Sequence, residues 1–219
     1  MALAPAPGAA PVALPAECVL GQYTTLFRPR LTGPLDVVAV QFAPGACAAL
    51  LGLDMAPLTN QWQPLGQSQP RLAAVLVAAA ATPHPTVVLD EELGRLAAGR
   101  QPPTALAAVV ADIFAHTGQL SVAELGARHH LTERTLLRWF RHEVELGPKQ
   151  FSRIVRFNHA RQLLEAAPEA RWPAVLDAYG HFDQAHFLRE FGEFSGVRPG
   201  QLPASFSLTR YHLRGLAAL

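Results

Sequence analysis

The chain has 219 residues, of which 50% are hydrophobic and 16% are charged, and its formal net charge is +1. This apolar content is enough for a buried core and excludes wholesale disorder. The longest apolar run, 72–81, is much shorter than the roughly 20 residues of a transmembrane helix. The first 16 residues hold four prolines and no basic residue, unlike a signal peptide. We therefore expect a cytoplasmic protein with no membrane partner.

The length favours two domains, and the first is predicted to be a small α+β domain over residues 18–100. An Ala/Pro-rich arm, 1–17, precedes it and is predicted to be flexible and without regular structure. β-Branched and aromatic residues predict strands, and Thr82-Pro83-His84-Pro85 is expected to break the helical stretches. The predicted elements are strands at 18–27 and 35–42 and helices at 43–51, 71–81 and 90–98.

The second domain, 104–203, is predicted to be all-helical and to begin with a helix at 105–116. Ser121 and Glu124 form a predicted capping box for the next helix, and Thr132 is the predicted N-cap of the one after it. Two helices joined by so short a turn make a helix-turn-helix. The remaining boundaries are Gln101-Pro102-Pro103 ahead of this domain and a C-terminal tail at 204–219.

One spacing of residues occurs twice in the second domain. Leu136, Phe140 and Pro148 are followed fifty-one residues later by Phe187, Phe191 and Pro199. The helix-turn-helix is therefore predicted to be duplicated, with one long helix at 148–167 between the copies. About 16 helical residues at roughly 1.5 Å each span about 24 Å, which with the flanking turns approaches the roughly 34 Å between successive major grooves. The repeat predicts a bipartite DNA reader.

Three strings of this domain are the most specific: RFNHARQLL at 156–164, GHFDQAHFLREF at 180–191 and GVRP at 196–199. With them, residues 104–203 resemble the DNA-binding domain of AraC/XylS-type transcription regulators. The resemblance implies a transcription regulator, either an activator or a repressor, that binds double-stranded DNA and RNA polymerase. FAPGA at 42–46 and LTNQ at 58–61 are similar to the sensor half of some of these regulators. This similarity implies that 18–100 is a shortened, cupin-like sensor or oligomerisation domain, with a small-molecule effector and a homodimer as expectations.

The resemblance places recognition helices near 132–143 and 183–194, with base-facing positions at Arg134, Leu137, Arg138, Gln184, Ala185, His186 and Arg189. Chemically, an arginine can bind guanine O6 and N7 in bidentate fashion, and a glutamine can bind adenine N6 and N7. Basic residues beside the first recognition helix and on the connecting helix are expected to contact phosphates. The predicted DNA-binding residues are Arg134, Thr135, Arg138, Arg141, Lys149, Arg153, Gln184, His186 and Arg189.

Charge divides the two copies of the repeat. Residues 128–161 hold eight basic and three acidic residues, whereas 172–199 hold two basic and four acidic residues. Since phosphate neutralisation supplies most of the non-specific affinity, the first copy is expected to anchor the protein and the second to add sequence discrimination. Five positions depart from the family's pattern, which has alanine where this chain has Gly126 and Leu176, glycine where it has Glu145 and His130, and an aromatic residue where it has His181.

Catalysis has no candidate constellation here, and we expect no enzyme, no cofactor and no metal site. Cys18 and Cys47 lack the spacing of a zinc site and are expected to pack as small apolar residues. Two alternatives stay open. One is a DNA-repair methyltransferase-type protein with Cys47 as the acceptor, since AraC-type domains also occur fused to such modules. The other is a protein-interaction module that has lost DNA binding.

Overall fold

The computed structural model describes residues 2–3, 12–24, 29–30, 37–100, 104–166 and 184–201. Its architecture confirms the predicted class, which is mainly α with a small α+β N-terminal part. Among the described residues no helix is both long and apolar enough to cross a membrane. The helices are α1 Ala46–Leu51, α2 Pro70–Ala80, α3 Pro85–Ala97, α4 Thr104–Ala115, α5 Val122–His129, α6 Glu133–Trp139, α7 Pro148–Ala166 and α8 Gln184–Ser195, with a π-helical turn at Phe140–Val144 and 3-10 turns at Ala56–Leu58 and Pro199–Gln201.

Five short strands are present in the described ranges, and all their pairings are antiparallel. They are β1 Ala2–Leu3, β2 Val12–Ala13, β3 Cys18–Leu20, β4 Pro29–Arg30 and β5 Trp62–Pro64. β1 lies between β2 and β4, so the prediction that 1–17 has no regular structure is wrong for these four residues of the arm. β2 lies between Pro11 and Pro15, β1 lies ahead of Pro5, and neither segment contains a proline, so the amides of both remain able to donate in a ladder.

The predicted pair of strands at 18–27 and 35–42 is also corrected. β3 ends at Leu20, and 37–42 is not a strand; 25–28 and 35–36 lie outside the described residues. β3 pairs instead with β5, and the Gly21 N–H extends this pairing by donating to the Gln61 carbonyl at 3.0 Å. The backbone of β3 is thereby occupied by a partner that the sequence did not predict, since β5 is three residues long and ends in proline.

Two compact units make up the fold. The first comprises Met1–Tyr23, Phe27–Ala107 and Arg138–Leu146, and the second comprises Thr24–Leu26, Ala108–Leu137 and Gly147–Leu219. The segment Arg138–Leu146 therefore packs with N-terminal elements. The predicted domains at 18–100 and 104–203 are segments expected to fold independently, which is a different property from compactness. Their bounds therefore stay a prediction.

The first unit has an apolar core to which α1, α2, α3 and β3 all contribute. α3 begins at Pro85, five residues before the predicted start at residue 90, because a proline in the first turn of a helix lacks only an N–H that has no partner there. The predicted breaker Thr82–Pro85 therefore interrupts the helices only in part. Buried Glu92 of α3 accepts hydrogen bonds from Arg95 and from Arg71 of α2, which hold its pKa at about 2. The buried core residues are Val19, Leu51, Met55, Leu58, Leu65, Leu72, Ala73 and Leu96.

The regular elements of the second unit, within its described residues, are all helices. α4 buries Val109, Val110 and Ile113 as its spacing predicts, and Gly118 then turns the chain at φ 72°, its N–H donating to the Ile113 carbonyl at 2.7 Å. α7 and α8 share a core that includes Ala160, Phe187 and Phe191, with partly buried Phe157, Leu163, Leu164 and Leu188 packed against it. The first helix of the second predicted copy, at 172–179, lies outside the described residues.

Candidate nucleic-acid interface

The first helix-turn-helix is defined by its caps. Ser121 Oγ accepts from the Glu124 N–H at 3.2 Å while the Ser121 N–H donates to Glu124 Oε2 at 2.7 Å, which confirms the predicted capping box. Thr132 Oγ1 accepts from the Thr135 N–H at 3.2 Å and so caps α6 as predicted. These local bonds fix where α5 and α6 begin.

The turn between α5 and α6 requires an unusual backbone. His130 has φ 54° in the left-handed region, at the position where the family's pattern has glycine. The Leu131 N–H donates to the Gly126 carbonyl at 2.9 Å. A Cβ at Gly126 would lie 2.7 Å from the Leu131 carbonyl oxygen, so this close approach of the turn explains why glycine replaces the family's alanine.

α5 is held to α4 by one carboxylate. Asp112 Oδ2 accepts from Arg128 Nε at 2.9 Å and lies 2.8 Å from His129 Nε2. The hydrogen bond from Arg128 lowers the pKa of Asp112, with that from His129 adding to it. The sequence reading missed this contact because the partners lie on different helices, sixteen and seventeen residues apart, where no periodic pattern connects them.

α6 and the π-helical turn after it present the predicted arginines to solvent. Arg134, Arg138 and Arg141 are exposed, while Leu136 on the other side of α6 is fully buried. None of the three arginines forms an ion pair with any residue in the described part of the chain. Leu137 is 40% exposed, an unusual apolar group on this surface. Half-buried Thr135 is engaged in the cap of α6.

α8 has a comparable arrangement. Gln184, His186 and Arg189 are exposed, whereas Phe187 and Phe191 on its opposite side are buried in the core with α7. His186 Nδ1 lies 3.8 Å from the Glu190 carboxylate one helical turn further on. Both predicted recognition helices therefore combine a buried apolar side with an exposed polar one.

Arg153 and Lys149, both expected to contact phosphate, lie in different environments. Lys149 is exposed at the start of α7. Arg153 is three-quarters buried: its Nε donates to Glu190 Oε2 at 3.2 Å, its Nη2 donates to Glu193, and its guanidinium lies 5.3 Å from the centre of the Phe194 ring. Its guanidinium is thus engaged in holding α7 to α8.

Glu190 is the centre of this contact between α7 and α8. It is 7% exposed and also accepts from Arg156, whose Nη1 in turn donates to the Gly118 carbonyl at 2.7 Å. Sequence reasoning did not identify Glu190, because it lies 34 and 37 residues from its two arginine partners. A buried acid among aromatic residues on an otherwise amphipathic helix is the one signal that could have suggested it.

The two cysteines are half-buried. Burial, together with the neighbouring negative charge of Glu145, raises the pKa of the Cys47 thiol to about 12, and the pKa of Cys18 is raised mainly by burial. Cys47 packs against the apolar core of the first unit. A thiol that stays protonated is a poor nucleophile. Within the described ranges no three His, Cys, Asp or Glu side chains are grouped as metal ligands.

The caps, the left-handed turn and the exposed faces together define a helix-turn-helix DNA-binding domain. Residues 125–204 match the family model described as a helix-turn-helix domain, and residues 4–64 match a domain of unknown function, DUF6597. No curated protein and no solved structure was found to match. The first match confirms the resemblance drawn from the sequence: residues 125–204 form a DNA-binding helix-turn-helix domain of the type found in AraC/XylS transcription regulators.

Proposed function

We propose that this regulator reads two blocks of sequence in successive major grooves, with α6 in the first groove and α8 in the second. The observation that carries the proposal is that each helix buries one apolar side and exposes polar side chains suited to base edges on the other. α7 supports it, since its 19 residues, at about 1.5 Å each, give a connector about 28 Å long.

Within this proposal, Arg134 and Arg138 on α6 and Gln184, His186 and Arg189 on α8 contact base edges. Arg141 and Lys149 contact phosphates, because their exposed cationic ends follow the recognition helix and start the connector. Arg153 contributes indirectly by fixing α8 against α7, as its bonds to Glu190 and Glu193 favour. Thr135 positions α6 through the cap.

The N-terminal part is proposed to modulate DNA binding, as a sensor or as an oligomerisation surface for a homodimer. A small-molecule effector and RNA polymerase are the partners that this role requires, and the cytoplasm is where it would be exerted. The match of residues 4–64 to a separate domain family supports a distinct role for this part. The methyltransferase alternative is disfavoured by the protonated, half-buried Cys47 thiol.

Substitutions on the two recognition helices are expected to separate specificity from affinity. Arg138→Ala should cost about 1 to 3 kcal/mol on the best site and relax one base position, since it removes a bidentate contact. Arg141→Ala should weaken binding to all sequences alike and reduce the salt slope by about 1. Gln184→Ala should relax one position in the other block with little change in slope. Fluorescence anisotropy at several salt concentrations, on sites selected from random DNA, measures all three.

The control for this experiment is non-specific DNA of the same length. A larger loss of affinity for that DNA from Gln184→Ala than from Arg141→Ala would show that the residue roles are wrong. Absence of any enriched site in the selection would overturn the proposal itself and leave the protein-interaction alternative.

The spacing of the two sequence blocks provides an independent test. We expect blocks about 10 base pairs apart, because the single connector helix fixes the distance between α6 and α8. Inserting five base pairs between them rotates one block to the opposite side of the duplex and should reduce affinity to that of a single block. Inserting ten base pairs returns both blocks to the same side of the duplex but increases the distance between them, and it serves as the comparison. Unchanged affinity after the five-base-pair insertion would exclude two-groove binding.

A further inference from the structure

The chain immediately after the first recognition helix is packed against the N-terminal part of the protein. We call residues 138–146 the joint segment; they belong to the first compact unit, and the π-helical turn within them contacts α1 and the 3-10 turn at Ala56–Leu58. Phe140, Val144 and Leu146 are buried. A Cβ at Gly45, where α1 begins, would lie 3.8 Å from the Cβ of Glu143, so the two backbones come close. The end of α6 is therefore held by N-terminal elements.

Glu145 is the polar anchor of the joint segment. It has φ 70°, in the left-handed region that a glycine adopts at lower cost, and it ends the π-helical turn. Its carboxylate Oε2 accepts a long hydrogen bond, 3.5 Å, from the Gln22 N–H just after β3. A charged residue at a strained position that glycine would suit is explained by this contact with the N-terminal sheet.

The surroundings of Glu145 favour its uncharged form. Burial raises its pKa, the hydrogen bond from the Gln22 N–H opposes this rise and the negative charge of Asp54 adds to it, and the resulting pKa is about 7. Asp54 and Cys47 are the titratable groups of the packed N-terminal elements that interact with it, and its own segment also carries Arg141, His142 and Glu143.

We propose that the joint segment, anchored by Glu145, transmits the state of the N-terminal part to the first recognition helix and presents that helix to DNA only while it stays packed on α1 and the 56–58 turn. The inference rests on the proposed function and names its means of regulation. Arg138 and Arg141 lie in the packed segment and are exposed there, so the packed state is compatible with DNA contact. Release of the segment frees the end of α6 and weakens binding.

The direction of the pH effect follows from linkage. When the segment is released, Glu145 recovers its ordinary pKa of 4.5, and when packed its pKa is about 7. The packed state is fully favoured below pH 4.5 and loses its advantage as the pH rises from 4.5 to about 7, because the released carboxyl ionises and the packed one resists ionisation. DNA affinity should fall over the same interval.

The test compares DNA affinity at pH 5.5 and pH 7.5 for the full chain, Glu145→Gln and Glu143→Gln. Both variants remove one carboxyl from the same segment, so at pH 7.5, above the pKa of Glu145, their electrostatic gains in DNA affinity are comparable. Between pH 5.5 and pH 7.5, the DNA affinity of the wild type and of Glu143→Gln should each fall about tenfold more than that of Glu145→Gln, because residue 145 cannot ionise in that variant. Asp54→Asn keeps an oxygen that can accept the Ala56 N–H bond and should reduce this excess, since it removes the charge that raises the pKa of Glu145.

Equal pH dependence of DNA affinity in Glu145→Gln and the wild type would overturn the proposed role of the joint segment, while the proposal for DNA recognition would stand. An unaltered excess in Asp54→Asn would likewise contradict the role of this cluster. A wild type that binds no selected site at either pH would instead remove the proposed function, and the joint with it. Circular dichroism of each variant at both pH values checks that the helices are retained.

Discussion

Replacing Glu190 by alanine is expected to destabilise the second unit by about 3 to 5 kcal/mol. Glu190 is 7% exposed and accepts hydrogen bonds from Arg153 and Arg156 of α7. Its removal takes the central carboxylate of this contact away from two arginines whose side chains are mostly buried, and breaking a buried ion pair costs far more than a surface ion pair contributes. α8 should separate from α7 first, since Glu190 connects the two helices.

Glu193→Ala is the matched control for this substitution. Glu193 lies one turn away on α8 and also pairs with Arg153, but its side chain is 61% exposed. Water solvates its charge in both states, so the loss should stay below about 1 kcal/mol. Denaturant unfolding followed by circular dichroism gives both values. Equal losses in the two variants would mean that the ion pair at Glu190 is not buried as described.

Gly118→Ala is expected to destabilise the same unit by at least about 3 kcal/mol. A Cβ at this position would lie 2.2 Å from the Ser152 carbonyl oxygen of α7, a backbone atom that cannot move without shifting the helix. The residue also has φ 72°, which by itself costs an alanine about 1 to 2 kcal/mol. The turn after α4 must therefore open or α7 must be displaced.

Gly99→Ala separates the clash from the backbone strain. Gly99 has φ 77°, and in the described part of the chain no neighbouring side chain or backbone lies within 4 Å of the place that an alanine Cβ would take. It therefore bears the strain without the contact, and its substitution should cost only about 1 to 2 kcal/mol. Thermal unfolding compares the pair, and a midpoint for Gly118→Ala equal to that for Gly99→Ala would show that α7 does not approach the turn this closely.

Elements set by interactions between near neighbours in the chain were predictable. The capping box of Ser121 and Glu124, the Thr132 cap and the stop at Gly118 depend on atoms within a few residues, so residue types at fixed offsets were sufficient. The apolar periodicity of α4 placed Val109, Val110 and Ile113 in the core for the same reason. For α4, α5 and α6 the sequence therefore predicted where the helices lie and which apolar residues they bury.

Contacts between distant residues were not predictable from spacing. β3 pairs with a three-residue strand more than forty positions away, and Glu190 binds arginines of another helix. The packing of the joint segment with α1 has no sequence signal apart from a glutamate at a glycine-like position. Arg153 illustrates the result: its position in the chain suggested a phosphate contact, and its tertiary partners engage it within the protein.

The ion pairs around α7 reduce the number of cations that this half of the domain offers to DNA. Of the eight basic residues between 128 and 161, Arg128, Arg153 and Arg156 are paired with carboxylates and Arg161 is buried. Arg134, Arg138, Arg141 and Lys149 remain exposed. The number of counterions released from DNA scales with the number of phosphates neutralised. Binding through the four exposed basic residues would therefore release about four counterions, rather than the eight that composition suggests. The affinity of this protein for non-specific DNA should then be lower at physiological ionic strength. The protein should therefore dissociate from non-specific genomic sites more readily.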